Sequence, residues 1–252
     1  MSSAAPASRP RISVITVVRN GAGTLADCVE SVVRQAYPKL EYVIVDGAST
    51  DGTVDVIRRY EGRLARWVSE PDGGVYDAMN KAVRLTTGDF LLFLGADDQL
   101  LCDLAQVAPS LRDSHTVYYG DAFWPAHNRR YDGRFGPAKL AARNICHQAM
   151  FYPRAVFQKY SFDLRYRLQA DWELNMRCFS DPALRFDYLP VLVARYNDLT
   201  GSSTRQRDLA LEADYPGLLW RHFPARVALP LSALALTGRA LRRLGVLGGG
   251  RR

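Results

Sequence analysis

Cysteine is scarce in this chain of 252 residues. The four cysteines, Cys28, Cys102, Cys146 and Cys178, are widely spaced and form no C-x-x-C pair. This spacing excludes a zinc knuckle and a dithiol redox motif, and it favours a reducing cytoplasm. Glycine and proline, with 19 and 13 residues, are too few for a collagen-like chain.

Long hydrophobic runs are also missing. The longest apolar run near the C-terminus, residues 227–237, is interrupted by Pro230 and is shorter than the ~20 residues that cross a bilayer. Residues 1–10 contain small residues and proline without a continuous apolar stretch, which predicts a disordered leader and not a signal peptide. We therefore expect neither secretion nor a transmembrane helix.

Acidic residues are absent from residues 225–252, although this segment holds six arginines and the whole chain has a net charge of +7. The arginines alternate with apolar residues, namely Leu231, Leu234, Leu236, Leu241, Leu244, Val246 and Leu247. This composition predicts that residues 216–252 form a basic amphipathic tail on an anionic membrane surface. A terminal helix packed on its own domain explains the same pattern. Nucleic-acid binding is disfavoured, because no aromatic and basic recognition module accompanies the charge.

Strand and helix patterns alternate over residues 11–110. Short β-branched or apolar runs predict strands at 12–18, 42–45, 65–69 and 90–94, and a 3.6-residue period predicts helices between them, including 75–85. Such alternation indicates an α/β fold with a parallel sheet. Ligands bind beyond the carboxyl ends of such strands, which is where Asp46 and the pair Asp97 and Asp98 lie.

The alternation weakens after about residue 110. Residues 116–123 predict one more strand, and residues 124–136 read as a polar, aromatic and arginine-rich loop. Polar and aromatic residues cluster again at 144–153 and 167–178. This half of the chain is expected to face a substrate.

The pair Asp97 and Asp98 follows five apolar residues. Two buried carboxylates are unfavourable there unless a cation or hydrogen-bond donors meet them. Hard oxygen ligands suit Mg²⁺ or Mn²⁺ held jointly with a diphosphate. A single carboxylate at a strand end is as often a solvated or capping group, so the interpretation depends on finding Asp46, this pair and Asp171 in one chain.

Six segments together resemble the inverting glycosyltransferases of family 2, which have the GT-A fold. They are ISVITVVRN at 12–20, VDGASTDGT at 45–53, SEPDGGVYDAMNKA at 69–82, TTGDFLLFLGADD at 86–98, NICHQAMFY at 144–152 and QADWELNMRCF at 169–179. The last two resemble a subgroup that builds bacterial exopolysaccharide, including colanic acid, lipopolysaccharide or phenolic glycolipid. The resemblance implies a Rossmann-like, mostly parallel sheet flanked by helices, with a nucleotide-sugar-binding half at 11–110 and an acceptor-binding and catalytic-base half at 111–215.

The resemblance also implies roles for residues of the donor half. Val17, Arg19 and Asp46 would surround the nucleotide base and ribose, Asp97 would face the ribose, and Asp72, Asn80 and Lys81 would lie near the donor sugar and phosphates. Asp98 would bind the Mg²⁺ or Mn²⁺ that bridges the diphosphate. The chain has Ala96-Asp97-Asp98 where the family pattern is Asp-x-Asp, so the motif points to Asp98 as ligand and leaves a second one open.

In the acceptor half, Asp171 matches the catalytic base of the family, with Trp172 and Glu173 beside it. His147 has two interpretations, since it either orients acceptor or phosphate or is a hydrogen-bonded structural histidine. Gln148 is ambiguous in the same way.

The implied function is transfer of one sugar from a UDP-, GDP- or dTDP-linked donor to a lipid-linked saccharide or glycolipid, at the inner face of the cytoplasmic membrane. A single addition is expected, because the chain lacks the Q-x-x-R-W motif and the membrane helices of processive relatives. The alternative is a non-catalytic carbohydrate-binding or scaffolding protein with a GT-A-like fold at the membrane surface. A nucleotidyltransferase and a dinucleotide oxidoreductase are disfavoured, because neither a glycine-rich phosphate loop nor a G-x-G-x-x-G follows the first strand.

Overall fold

The computed structural model describes residues 9–199 and 206–243. Most of the predicted leader and the tail beyond residue 243 therefore lie outside the described residues. The described part contains nine strands, β1 (Ile12–Val18), β2 (Leu40–Asp46), β3 (Arg66–Ser69), β4 (Phe90–Phe93), β5 (Gln99–Leu100), β6 (Thr116–Trp124), β7 (Arg129–Tyr131), β8 (Met150–Pro153) and β9 (Arg185–Arg195). Its α-helices are α1 (Leu25–Val33), α2 (Thr53–Arg59), α3 (Val75–Leu85), α4 (Leu104–Val107), α5 (Pro137–Ala142), α6 (Arg154–Lys159), α7 (Ala170–Ser180), α8 (Leu209–His222) and α9 (Ala225–Arg243).

The first four strands form a parallel sheet. β1 pairs with β2 on one side and β4 on the other, and β3 pairs with β2. β1 and β4 are almost entirely buried, as expected for apolar strands that helices cover on both faces. Because these strands point the same way, the loops that follow β1 and β4 meet at one edge of the sheet.

β8 joins this sheet to the second half of the chain. It pairs antiparallel with both β4 and β6, and β6 pairs in parallel with the long strand β9. The strand order is β3-β2-β1-β4-β8-β6-β9-β5, with β7 paired to β6. Most paired residues belong to parallel ladders, so the predicted mostly parallel α/β sheet is confirmed.

Helices cover both faces of the sheet. On one face, Tyr76, Met79 and Ala82 of α3 recur every three residues and are buried where α3 packs against β1 and β2. On the other face, Leu25 and Cys28 of α1 belong to a second apolar cluster. Residues 75–85 form the helix that the periodicity predicts.

The segment 124–136 differs from the predicted loop. It contains the short strand β7, which pairs with the end of β6 and brings Tyr131 onto Trp124 with ring centroids 4.4 Å apart. Three residues without alternation give no strand signal in the sequence, and pairing with β6 supplies the structure instead.

The predicted tail does not begin as a separate unit. Its boundary at residue 216 falls within α8, and α9 packs against α8 and α5 with Val227 and Ala228 buried in the core. The first part of the tail therefore packs on the domain, which is the second explanation of its sequence. Leu229, Leu234 and Leu236 nevertheless remain more than half exposed. None of the helices described here combines the length and apolarity needed to cross a membrane.

Candidate active site

A cleft of about 630 Å³ opens at the edge where the loops after β1 and β4 meet. It is also lined by the start of α3, the segment 144–148, the start of α7 and the residues after β9. This volume is in the range of small-molecule sites. The cleft contains Val17, Arg19, Asp97, Asp98, His147, Asp171 and Trp172 of the residues predicted from the sequence.

Asp171 lies in the first turn of α7, where the helix dipole favours a negative charge. Its Oδ1 accepts a hydrogen bond of 2.7 Å from the Tyr76 hydroxyl. Its Oδ2 is 2.6 Å from Asn144 Nδ2 and 3.0 Å from His147 Nδ1. The residue is only 7% exposed, so protein side chains provide most of the polar contacts of its carboxylate.

These neighbours determine the pKa of Asp171. Burial raises the pKa, but hydrogen bonding and positive charge from His147, followed by the Tyr76 hydroxyl, together outweigh burial and lower it below the ordinary aspartate value. Asp171 is therefore ionised at neutral pH. A buried, ionised carboxylate that faces a cleft is able to accept a proton from a bound hydroxyl.

Asp98 is the second buried carboxylate of the cleft, with 1% of its surface exposed. Its Oδ2 accepts from Gln148 Nε2 at 2.9 Å, and its Oδ1 accepts from the backbone N–H of Asn197 at 2.7 Å. Burial, with a smaller contribution from the neighbouring Asp97, outweighs the hydrogen bonds from Asn197 and Gln148 and raises the pKa of Asp98 to about 6. A cation placed here would stabilise the ionised form.

Asp97 and Asp98 provide hard oxygen donors that suit Mg²⁺ or Mn²⁺. Within the described ranges, no group of three or more His, Cys, Asp or Glu side chains is arranged to hold a metal ion. Asp97 and Asp98 therefore do not fit a metal site in which all ligands come from the protein. They fit an ion held by one or two carboxylates together with substrate phosphates, as is usual for Mg²⁺.

Gly95 allows the close approach of Asp98. A Cβ atom at position 95 would lie 2.4 Å from Asp98 Oδ2 and 3.1 Å from its Cγ. Any other residue at this position therefore displaces the carboxylate or the backbone of the loop.

We expect Gly95→Ala to weaken the binding of a nucleoside diphosphate about tenfold, because the displaced carboxylate loses its place in the cleft. Isothermal titration of UDP and GDP into both proteins in the presence of Mn²⁺ measures the effect. Gly23→Ala is the matched control, since no atom lies within 4 Å of a Cβ at that position. Equal affinities in the Gly95 variant and the wild type would contradict this role of the glycine.

The loop after β1 is held in place by the loop after β2. The backbone N–H of Asn20 donates to Ser49 Oγ at 2.7 Å, and the N–H of Ala22 donates to Asp51 Oδ2 at 3.0 Å. Val17 and Arg19 precede these contacts and line the cleft. The conspicuous VDGASTDGT segment thus shapes the cleft largely through contacts with its neighbouring loop.

Five predicted site residues do not line the cleft. Asp46 is fully buried and accepts hydrogen bonds from Ser49 N at 3.0 Å and Ser69 Oγ at 2.6 Å. Asp72 accepts from Gly74 N at 2.9 Å, in the turn that precedes α3. Both carboxylates are thus hydrogen-bonded to protein groups. Their contacts with a donor remain predictions.

Asn80, Lys81 and Glu173 make structural contacts in the same way. Asn80 exchanges two hydrogen bonds with the backbone of Phe162, while Lys81 pairs with Glu70 at 3.1 Å. Glu173 is buried, which raises its pKa, and pairs with Arg177. These contacts give each residue a structural role, and their predicted roles in the reaction stay predictions.

Trp172 and His147 do line the cleft. Trp172 Nε1 donates to the carbonyl of Leu140 at 2.8 Å, and its ring packs on Tyr215 at 5.4 Å. His147 is hydrogen-bonded to Asp171, as its structural interpretation expects, and a contact with acceptor or phosphate stays a prediction.

Three residues that contact the two carboxylates were not identified from the sequence as site residues. They are Tyr76 and Asn144, which donate to Asp171, and Asn197, which donates to both Asp97 and Asp98. Tyr76 and Asn144 lie in segments that carry the family resemblance. Asn197 follows β9, for which the sequence shows no motif.

The cleft and fold agree with comparisons to known proteins. Residues 13–189 match the sequence profile described as Glycosyl transferase family 2. A "PGL/p-HBAD biosynthesis glycosyltransferase" of Mycobacterium bovis is 43% identical over 203 residues, which are 77% of this chain and 79% of the relative.

Two solved structures share the fold. S. aureus TarS 1-349 in complex with UDP-GlcNAc has a TM-score of 0.64 at 19% identity, over 83% of this chain and 64% of TarS 1-349, so this chain spans less than two thirds of that protein. The mannosyltransferase PcManGT from Pyrobaculum calidifontis, in complex with GDP-Man and Mn²⁺, has a TM-score of 0.64 at 20% identity, over 98% of this chain and 78% of PcManGT. Both likenesses support the GT-A fold. Since the family profile covers more than half of the residues, the chain is a glycosyltransferase that belongs to family 2.

Proposed function

We propose that this glycosyltransferase uses a divalent metal ion and inverts the anomeric centre as it moves one sugar from a nucleotide-diphosphate sugar to a lipid-linked saccharide or glycolipid. The observation that carries the proposal is the position of Asp171. Its ionised carboxylate faces the same cleft as Asp98, and three side chains hold it in place. A base for the acceptor and an anchor for the donor diphosphate are thereby available in one site.

The proposed reaction is a single displacement. Asp171 takes the proton from an acceptor hydroxyl, and the oxygen forms a bond to the anomeric carbon. The bond from that carbon to the diphosphate oxygen breaks on the opposite side, and its electron pair leaves with the nucleoside diphosphate. The products are a glycoside of inverted configuration and a free nucleoside diphosphate.

Asp98, beside Asp97, is the residue that would hold Mg²⁺ or Mn²⁺. When bound, the ion would offset the negative charge that grows on the departing diphosphate. The protein itself also provides a cation, because the exposed side chain of Arg19 lines the same cleft. Its guanidinium is suited to pair with the nucleotide.

The donor and the acceptor class rest on relatives. TarS and PcManGT were solved with UDP-GlcNAc and GDP-Man, which supports a UDP-, GDP- or dTDP-linked sugar as donor. The name of the mycobacterial relative refers to PGL biosynthesis and supports a glycolipid acceptor. We place the protein in the assembly of bacterial surface polysaccharide or glycolipid, at the cytoplasmic face of the membrane.

Mass spectrometry tests this function directly. The protein is incubated with a panel of UDP-, GDP- and dTDP-sugars, a bacterial lipid extract and Mn²⁺, and the products are analysed for the mass of one added sugar. NMR of the product tests inversion. A donor with an α-linked sugar should give a β-glycoside, and a donor with a β-linked sugar should give an α-glycoside. A non-catalytic carbohydrate-binding protein would release no nucleoside diphosphate from any donor.

The exposed side of α9 supports docking to a membrane. Leu229, Ala233 and Leu236 lie at i, i+4 and i+7 on this side, and the two leucines are 61% and 54% exposed. Residues 225–252 carry six arginines and no acidic residue. An apolar stripe beside a segment whose charges are all cationic suits binding to an anionic lipid surface. Each cation near such a surface contributes roughly 1 kcal/mol to the binding free energy.

We expect the wild-type protein to co-sediment with vesicles that contain phosphatidylglycerol, and the double variant Leu229→Glu, Leu236→Glu to bind them about tenfold more weakly. Both leucines are exposed, so the variant should fold normally, unlike a truncation that removes the buried Val227. Leu101→Glu, at a leucine that is 44% exposed after β5, is the matched control. Equal binding of the double variant and the wild type would show that this side of α9 is not the docking surface.

A further inference from the structure

Residues 144–148 connect the two carboxylates of the cleft. This bridging segment follows α5 and enters β8, the strand that pairs with both β4 and β6. Asn144 donates a hydrogen bond to Asp171, and His147 is hydrogen-bonded to the same carboxylate. Gln148 donates to Asp98. One stretch of five residues therefore contacts both the proposed base and the proposed metal ligand.

The orientation of the Asn144 amide is fixed by a directional chain of hydrogen bonds. The hydroxyl of Tyr152 donates to Asn175 Oδ1 at 2.9 Å, and Asn175 Nδ2 donates to Asn144 Oδ1 at 2.8 Å. Asn144 Nδ2 is thereby turned toward Asp171 at 2.6 Å. Asn175 is fully buried and lies one turn after Asp171 on α7, so its contact couples the segment to the helix that carries the base.

The Gln148 amide is oriented in the same way. The thiol of Cys146 donates to Gln148 Oε1 at 3.1 Å, which turns Gln148 Nε2 toward Asp98 at 2.9 Å. Burial raises the pKa of the Cys146 thiol, so the thiol keeps its proton and remains a donor. Gln148 itself is 5% exposed, which leaves it little room to adopt another rotamer.

His147 is the partner of Asp171 in a group of titratable residues from several elements. Tyr76 from α3, Cys146 from the bridging segment and Tyr152 from β8 also interact electrostatically with the Asp171 carboxylate. Asp98, from the loop after β4, interacts electrostatically with His147. Among these groups, His147 contributes the largest stabilisation of the Asp171 carboxylate.

We infer that the bridging segment is the positioning element of the reaction, in which Asn144 and His147 hold Asp171 as an ionised base and Gln148 holds Asp98. The inference rests on the proposed function, because it assigns positioning residues to the two carboxylates named there. It predicts that the two ends of the segment act separately. His147 controls the proton affinity of the base, and Gln148 controls the binding of metal and diphosphate.

Carbon-13 NMR of aspartate carboxyl groups tests the first end without turnover. The Asp171 signal is assigned by its absence in Asp171→Asn, and the spectra are followed from pH 8 to about pH 4.5. In the wild type Asp171 stays ionised over this range. In His147→Leu, loss of the donor should move its titration to higher pH by about one unit or more. His147→Asn, which keeps a donor near the Nδ1 position, should recover part of this change.

Calorimetry tests the second end. Gln148→Met keeps the length of the side chain but has no donor for Asp98. We expect it to reduce the Mn²⁺-dependent affinity for UDP or GDP at least fivefold and to leave the Asp171 titration in place. His147→Leu should show the opposite pattern, with an altered titration and a loss of nucleotide affinity smaller than that of Gln148→Met, because His147 acts on Asp98 only through its charge.

Two outcomes would overturn the inference. Either Asp171 titrates alike in the wild type and His147→Leu, or both variants alter both measurements to the same extent, as a general loss of packing would. Near-UV circular dichroism confirms that each variant is folded, and His147→Asn provides the comparison if His147→Leu is not. A wild type that transfers no sugar would refute the proposed function, but it would leave the NMR titration readable, so the two failures are distinguishable.

Discussion

Replacing Asp171 with asparagine should lower the rate of sugar transfer about 100-fold or more and leave the affinity for the donor nearly unchanged. The amide has the shape of the carboxylate but cannot take a proton from the acceptor hydroxyl. The hydrogen bonds from Tyr76, Asn144 and His147 hold a side chain of the same size, so the cleft should keep its form. Initial rates with the donor and acceptor found by mass spectrometry give kcat, and calorimetry with the nucleoside diphosphate gives the affinity.

The matched control is Asp187→Asn, because Asp187 is an exposed aspartate on β9 that does not line the cleft. The same change of charge and shape there should leave the rate within about twofold of the wild type. Rescue of Asp171→Asn by a more basic buffer is not expected, because the amide does not ionise. If Asp171→Asn turned over at nearly the normal rate, the base would have to lie elsewhere in the cleft.

The donor half of the fold was largely predictable from the sequence. β1, β4 and α3 are continuous apolar runs or regular 3.6-residue patterns, and their burial follows from local sequence. The second half of the fold was less predictable, because its strands pair with segments that are distant in the sequence. β8 is only four residues long, and it is a strand because β4 and β6 flank it, which no local pattern reveals.

The same contrast holds for the site. Asp98 and Asp171 were predicted as site residues because each lies in a motif, and the structure brings both to one cleft. Lys81 lies in an equally conspicuous motif, but its ammonium pairs with Glu70 and is hydrogen-bonded to the carbonyl of Pro71 at 2.7 Å. The motif alone does not show which protein groups hold Lys81, and its predicted place near the donor sugar and phosphates stays a prediction.

Asn197 shows what sequence reasoning was unable to supply. Its backbone N–H and its side-chain amide donate to Asp98 and Asp97 from a position 99 and 100 residues farther along the chain. The contact exists because β9 pairs in parallel with β6 and ends beside the loop after β4. Long-range donors of this kind follow from topology, so they become visible only when the strand order is known.

Asp98→Ala should remove most of the gain in nucleoside-diphosphate affinity that Mn²⁺ provides. Without this carboxylate, the ion loses a protein ligand beside the diphosphate and the affinity with metal should fall at least tenfold. The affinity without metal should stay the same or rise slightly, because a negative charge near the phosphates is gone. Calorimetric titration of UDP and GDP into the wild type and the variant, with and without Mn²⁺, measures these affinities.

Asp98→Asn separates loss of charge from loss of structure. Alanine leaves the amide of Gln148 and the backbone N–H of Asn197 without an acceptor in a buried site, at a cost of about 1–3 kcal/mol in stability. Asparagine retains one acceptor oxygen at nearly the same position, so it should be more stable than alanine and equally deficient in the response to metal. If Mn²⁺ strengthened nucleotide binding to the same degree in the wild type and both variants, the ion would not be bound by Asp98. If Mn²⁺ had no effect on the wild type, the transfer would proceed without a divalent ion, and Arg19 would be the first cation in the cleft to examine.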